Sequence, residues 1–183
     1  MATKAYGAGI RHAEVMDDQG DIVDMEAVIN VEGSMEIEST EIKGDDEVKV
    51  TFYQSQKISL SGEANAWNID VVEKISGNTP ATEVGPPTAD NIAIGTNAET
   101  NPPFVQLKTK TRAKATDGTV VTIEIVYHKC QLMIENLAQA LESEMPLSLT
   151  GVAYRTATDI EGNALADTRI ATVSIVDDDT TPA

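Results

Sequence analysis

Between Gly33 and Gly77 the chain switches its hydrophobic period once, from two to about 3.6, and this switch constrains the fold more than any other feature. In GSMEIESTEIKGDDEVKVTFYQSQKISLSGEANAWNIDVVEKISG, Met35 and Ile37 alternate with Glu36 and Glu38. Val48, Val50 and Phe52 alternate in the same way with Lys49, Thr51 and Tyr53. Successive strand residues face opposite sides, so both runs predict half-buried strands, with Gly44 and Asp45 as the break between them. A third run sets Ile58, Leu60 and Ala64 against Lys57, Ser59, Ser61 and Glu63 and predicts a further strand. Asn68 then offers a side-chain oxygen as an N-cap. Ile69, Val71, Val72 and Ile75 lie on one helical stripe, and Gly77 followed by Asn78 tolerates a left-handed C-cap. A helix this short, about residues 68–76, has to be held by docking on a sheet.

A second hairpin lies in PFVQLKTKTRAKATDGTVVTIEIVYHKCQLM. Lys108, Lys110, Arg112 and Lys114 alternate with Leu107, Thr109, Thr111 and Ala113, which puts four cations on one strand face. On the partner strand Val121, Ile123, Ile125 and Tyr127 share one face, and Thr122, Glu124, Val126 and His128 share the other. A two-residue turn at Asp117-Gly118 would set cations beside aliphatics. A three-residue loop, Thr116-Asp117-Gly118, with Gly118 in the left-handed position of a G1 bulge, instead places Lys110 opposite Glu124 and Arg112 opposite Thr122. Parity therefore favours the bulged hairpin.

The rest of the chain is less regular. MDDQGD at 16–21 predicts a turn, and DIVDMEAVINVEG at 21–33 is open between strand and loop. Residues 78–103 hold five of the seven prolines and predict a long extended excursion suited to an interaction. In MIENLAQALESEM at 133–145, a short helix competes with an irregular strand connection, ended by Pro146 either way. PLSLTGVAYRTATDI and ALADTRIATVSIV predict two strands around a turn at 159–163. The expected organisation is one domain over 1–183, with an N-terminal arm at 1–9, the proline-rich excursion and a disordered acidic tail at 177–183.

The chain is strongly acidic, with 13 basic against 30 acidic residues and a net charge of −17. This balance argues against a specific grip on a nucleic-acid backbone, which needs clustered cations to displace counterions. A wall bearing carboxylates would instead let a nucleic acid slide past. The four-cation stripe is the one exception. It reads either as a solvated face partly neutralised by Glu124 or as a docking surface for the acidic half of another subunit. Because no aromatic residues interleave with it, subunit contact is favoured over DNA contact.

Known chemistry is thinly represented. No phosphate loop, dinucleotide fingerprint, nucleophile elbow or HExxH is present, and His12 and His128 lack a ligand at metal spacing. The acidic clusters Asp17-Asp18-Asp21, Asp45-Asp46-Glu47 and Asp177-Asp178-Asp179 read as solvated turn carboxylates. DIEGNALAD at 159–167 misses the calcium-loop register, because Gly162 is fourth rather than sixth. No catalytic residue, cofactor or metal is expected. Cys130, the only cysteine, reads as a buried structural thiol. No run approaches the roughly 18 apolar residues of a membrane helix, and MATKAYGAGIRHAEV lacks an apolar signal centre, so an untargeted protein made in a cytoplasm is expected.

Taken in order, KGDDEV at 43–48, ISLSGEA, the helix ending at Gly77, PPFVQLKTKTRAK with its TDGT turn, VTIEIVYHKCQLM and LSLTGVAY resemble the pattern of bacteriophage tail tube proteins over about two-thirds of the chain. The resemblance implies a mainly β fold, a β-sandwich or partial β-barrel with one short flanking helix, shared with the type VI secretion tube protein. It also implies hexameric rings stacked into a hollow tube that delivers viral DNA, in a virion tail assembled in the host cytoplasm. Partners would be further copies of the chain and other tail proteins, with DNA passing unbound and no membrane insertion. Candidate subunit contacts are Lys108, Lys110, Arg112 and Lys114, with Gly44, Asp45 and Asp46 at the charged turn. The alternative from another class is a non-catalytic β-sandwich adhesion or decoration module that binds a surface partner through residues 78–103.

Overall fold

A computed structural model describes residues 5–25, 28–44, 47–64, 68–78, 81–83, 89–91, 102–137 and 147–177. The chain is mainly β, with one short helix among the described residues. Eight strands form an antiparallel sheet that is not closed into a barrel and is consistent with a β-sandwich. Its order is β2 (Ile22–Met25), β1 (Ala5–Met16), β7 (Phe104–Ala115), β8 (Val120–Leu137), β9 (Leu147–Tyr154), β4 (Glu47–Ala64), β3 (Val28–Gly44), with β12 (Ala171–Asp177) added against β8. Two small hairpins, β5 (Ala81–Glu83) with β6 (Ala89–Asn91) and β10 (Thr156–Thr158) with β11 (Ala164–Arg169), stand outside that sheet.

Strand β8 organises the sheet by changing partner along its length. β7 pairs along one edge of it, from Phe104↔Gln131 to Lys114↔Val120. On the other edge, Val121–Tyr127 pair with β12, and Cys130–Leu137 pair with β9. The inward alternation of these strands builds one core from Val15, Leu60, Val105, Leu107, Leu132, Leu147 and Leu149, all 5% exposed or less. Fully burying an aliphatic side chain of this size contributes about 1.5–3 kcal/mol, so these rows carry the stability of a chain poor in aromatics.

Helix α1 (Ile69–Ser76) closes over this core. Asn68 caps it, its side chain accepting the Asp70 N–H at 2.9 Å, and Gly77 ends it at φ 72° with its N–H on the Glu73 carbonyl. Val71, Val72 and Ile75 are each 1% exposed. Eight residues do not hold a helix alone in water, so the apolar docking decides, while the cap adds about 1 kcal/mol. Lys74 in the last turn pairs with Asp17, which ties the helix to the β1–β2 turn.

Several expectations need correcting. The runs at 48–52 and 58–64 are one continuous strand, β4, which forms a single long hairpin with β3. Residues 28–33, left open between strand and loop, are the start of β3, and 22–25 are β2. Of the expected arm at 1–9, Ala5, Tyr6 and Gly7 pair with Ala115, Lys114 and Ala113 of β7, and residues 1–4 lie outside the described residues. Residues 133–137 continue β8 rather than opening a helix. The two last strands are four: β9 and β12 take successive stretches of one edge of β8, and the 159–163 turn joins β10 to β11. Most of the proline-rich excursion, residues 138–146 and the tail beyond Asp177 lie outside the described residues.

Candidate subunit-contact face

The β7–β8 turn forms as parity requires. Ala115 N–H donates to the Thr119 carbonyl at 2.8 Å, Gly118 N–H donates to the Ala115 carbonyl at 3.0 Å, and Gly118 sits at φ 91°. Asp117 Oδ1 accepts the Thr119 N–H at 2.9 Å, which fixes the loop and holds the Asp117 carboxyl below its usual pKa. The register that follows is Lys110↔Glu124 and Arg112↔Thr122. The four cations therefore share one face of β7, as their spacing predicts.

β1 pairs with the other edge of β7, setting Glu14 opposite Lys108 and His12 opposite Lys110. Lys110 Nζ donates to Glu14 Oε1 at 3.0 Å, and His12 Nε2 lies 2.7 Å from the same oxygen. His12 Nδ1 faces Asp24 of β2 at 3.0 Å. Lys108 Nζ turns towards Glu124 at 3.1 Å, with Glu14 at 4.0 Å. Burial raises the Glu14 pKa, but the hydrogen bonds from His12 and Lys110 and the charges of Lys110 and Lys108 outweigh it and hold the carboxyl below the usual value. Lys108 and Lys110 are thus engaged within the chain. Arg112 and Lys114, nearer the turn, are its exposed members.

Glu14 was not singled out from the sequence, although its signal was there. His12 and Glu14 alternate with Ala13 and Val15, which are both fully buried, so RHAEV already had strand parity. The missing knowledge was that β1 pairs with β7 across about half the chain.

Elsewhere on this face the character changes. Glu32, Ser61, Thr150 and Met133 form one cross-strand row through β3, β4, β9 and β8, and Ser34, Ser59, Val152 and Gln131 form the next. Glu36 beside them accepts from Ser59 at 2.7 Å and pairs with Lys57 at 2.9 Å. This half of the sheet is hydroxyl-rich and acidic, and the β1–β7 half carries the cations.

The β3–β4 hairpin runs past the sheet. β9 pairs with β4 only from Lys57 to Ala64, so from Ile37 to Gly44 and from Glu47 to Ser55 the two strands pair only with each other among the described residues. Gly44 pairs with Glu47 at the end of this ribbon, and Asp45 and Asp46 lie outside the described residues. Near its base Met35 and Ile37 are 55% and 60% exposed. A groove of about 530 Å³ lies there, floored by Ile58, Ile125 and Tyr127, walled by Met35 and Val173, and rimmed by Arg155 and Arg169.

The acidic turns behave as turns. Asp17 takes Lys74 and the N–H groups of Gln19 and Asp21 at 3.0 and 2.9 Å. Asp159 accepts the backbone and side-chain N–H groups of Asn163 at 2.8 and 3.0 Å, and Gly162 is at φ 89°. Cys130 is fully buried, its Sγ 3.5 Å from the Tyr127 carbonyl, and burial pushes its thiol pKa up to about 12. Among the described residues no cluster of three His, Cys, Asp or Glu side chains could hold a metal ion. Compared with known proteins, the chain matches no protein-family model, and the search of curated proteins gives no match.

Proposed function

We propose that this chain is a structural subunit of a phage tail tube, assembling as hexameric rings that stack into the conduit for viral DNA and performing no catalysis. The observation that carries this reading is the β3–β4 ribbon, which continues beyond the last residue paired with β9 and leaves Met35 and Ile37 exposed at its base. An isolated two-stranded ribbon is marginal in water, so a second molecule that covers it supplies the missing burial. β12 adds a further edge, paired on one side only among the described residues and carrying Val173 at 66% and Ile175 at 48% exposure. A subunit built for closed rings needs such unlike edges, one to give and one to receive.

The charge layout supports the conduit. We assign the hydroxyl-rich acidic rows of β3, β4 and β9 to the lumen, where Glu32 and Glu63 repel DNA phosphates over about the 8 Å Debye length of physiological salt. The exposed cation Lys114 then faces the acidic surface of a neighbouring subunit. Sedimentation velocity over a wide protein concentration range tests the reading: species well above the 19.5 kDa subunit support it. A monomer at every concentration and salt overturns it.

A further inference from the structure

His128 stands where β8 exchanges β12 for β9. Tyr127 and Cys130 both face the core, so the strand accommodates an extra residue between them, and the register slips between Val105 and Leu107 of β7. His128 is left 8% exposed. Its backbone N–H donates to the Ile170 carbonyl at 3.3 Å, and Nε2 lies 2.7 Å from Thr172 Oγ1. Arg169 Nη1 donates to the same hydroxyl at 3.3 Å. The other ring nitrogen, Nδ1, is buried and has no hydrogen-bond partner among the described residues.

We propose that His128 is an acid-released latch: the neutral ring ties the start of β12 to β8, and proton uptake by the ring frees that strand. The imidazolium carries N–H on both nitrogens, so it holds a buried Nδ1–H without an acceptor among the described residues and a buried charge, each costly in an apolar setting. The groups around the ring oppose the charge on balance. Burial and then the Arg169 guanidinium at the end of β11 hold the His128 pKa below its usual value, and Asp159 in the β10–β11 turn acts weakly the other way. Thr172 on β12 is uncharged. Lys129, next on β8, places its ammonium 4.3 Å from the Phe104 ring centroid, and Lys108 on β7 directs its own to Glu124.

β12 is the strand such a latch can release. Among the described residues it pairs only with β8, and Ile170, 8% exposed, is its anchor in the core. β4 and β9 lie on the other branch of the sheet, so release leaves them intact. The β11–β12 junction also walls the apolar groove, which would open with it.

Hydrogen exchange measured peptide by peptide, with the intrinsic pH dependence removed, tests the latch between about pH 7.5 and 5. On acidification the peptide covering Ala171–Asp177 loses protection while peptides from β4 and β9 keep theirs. His128→Asn, which cannot titrate, abolishes the pH-dependent loss. Thr172→Val, which keeps the ring but removes its partner, shows the loss already at pH 7.5, and decides the question if His128→Asn fails to fold. Unchanged β12 protection across the range, or an equal acid loss in His128→Asn, overturns the proposal.

Discussion

Glu14 on β1 and Lys110 on β7 meet at 3.0 Å, so the first partner of the cationic stripe lies in its own chain. Removing the carboxylate leaves Lys108 and Lys110 side by side with less compensation. Glu14→Gln is therefore expected to destabilise the fold by about 2 kcal/mol, the size of a partly buried charged hydrogen bond. The Glu14 pKa is lowered on folding. Its contribution is thus fully present above the unfolded value and is lost as pH falls through the folded one. Urea unfolding between neutral pH and about pH 3 should show a shallower acid limb in Glu14→Gln than in the wild type; identical limbs contradict this role.

Cys130 should be silent in the folded protein. Full burial and a pKa near 12 leave almost no accessible thiolate, the reactive form. A thiol reagent at about pH 8 is expected to label it only at the rate of unfolding, and to label it promptly in denaturant. Prompt labelling without denaturant would show that the β7–β8–β9 core opens at that point.

The glycines differ sharply in what a methyl group would meet. At Gly151, a buried residue of β9 paired with Leu132, an added Cβ would press on the Gln131 carbonyl oxygen and the Leu132 side chain. Gly151→Ala should cost at the upper end of the roughly 1–3 kcal/mol typical of overpacking. At Gly162 nothing lies within 4 Å, and only φ 89° opposes a side chain. Gly162→Ala should cost about 1 kcal/mol. Thermal melts of the two variants check the order, and a larger loss at Gly162 contradicts the described β8–β9 contact.

Where the sequence and the fold agree, the deciding physics is local. Asn68 and Gly77 mark the helix because a cap needs one side-chain oxygen and one left-handed residue. The Thr116-Asp117-Gly118 turn follows from parity, since cations cannot be set against Ile123 and Ile125. Where they part, the cause is non-local. The polar run Gln54–Gln56 looks like a break, yet backbone pairing continues through it with a bulge opposite Glu36 and Ile37. Strand pairing needs only N–H and C=O groups once a ribbon leaves the core. The division of β8 between β12 and β9, and hence the setting of His128, depends on segments far away in the chain and leaves no periodic trace.

Lys114 separates assembly from stability. It is exposed, opposite Val120, so Lys114→Glu should change subunit stability by no more than about 0.5 kcal/mol. On the proposed reading it weakens self-association, because the new charge faces an acidic neighbour. Neither protein should bind duplex DNA even at low salt, where a cationic site would bind best. Salt-dependent DNA binding by the wild type that Lys114→Glu reduces would make the stripe a nucleic-acid site instead.

Electron microscopy of the purified protein at high concentration tests the central claim most directly. Six-membered rings, alone or stacked into tubes with an open lumen, are the expected result. Uniform particles of single-subunit size over a wide range of concentration and salt would contradict it.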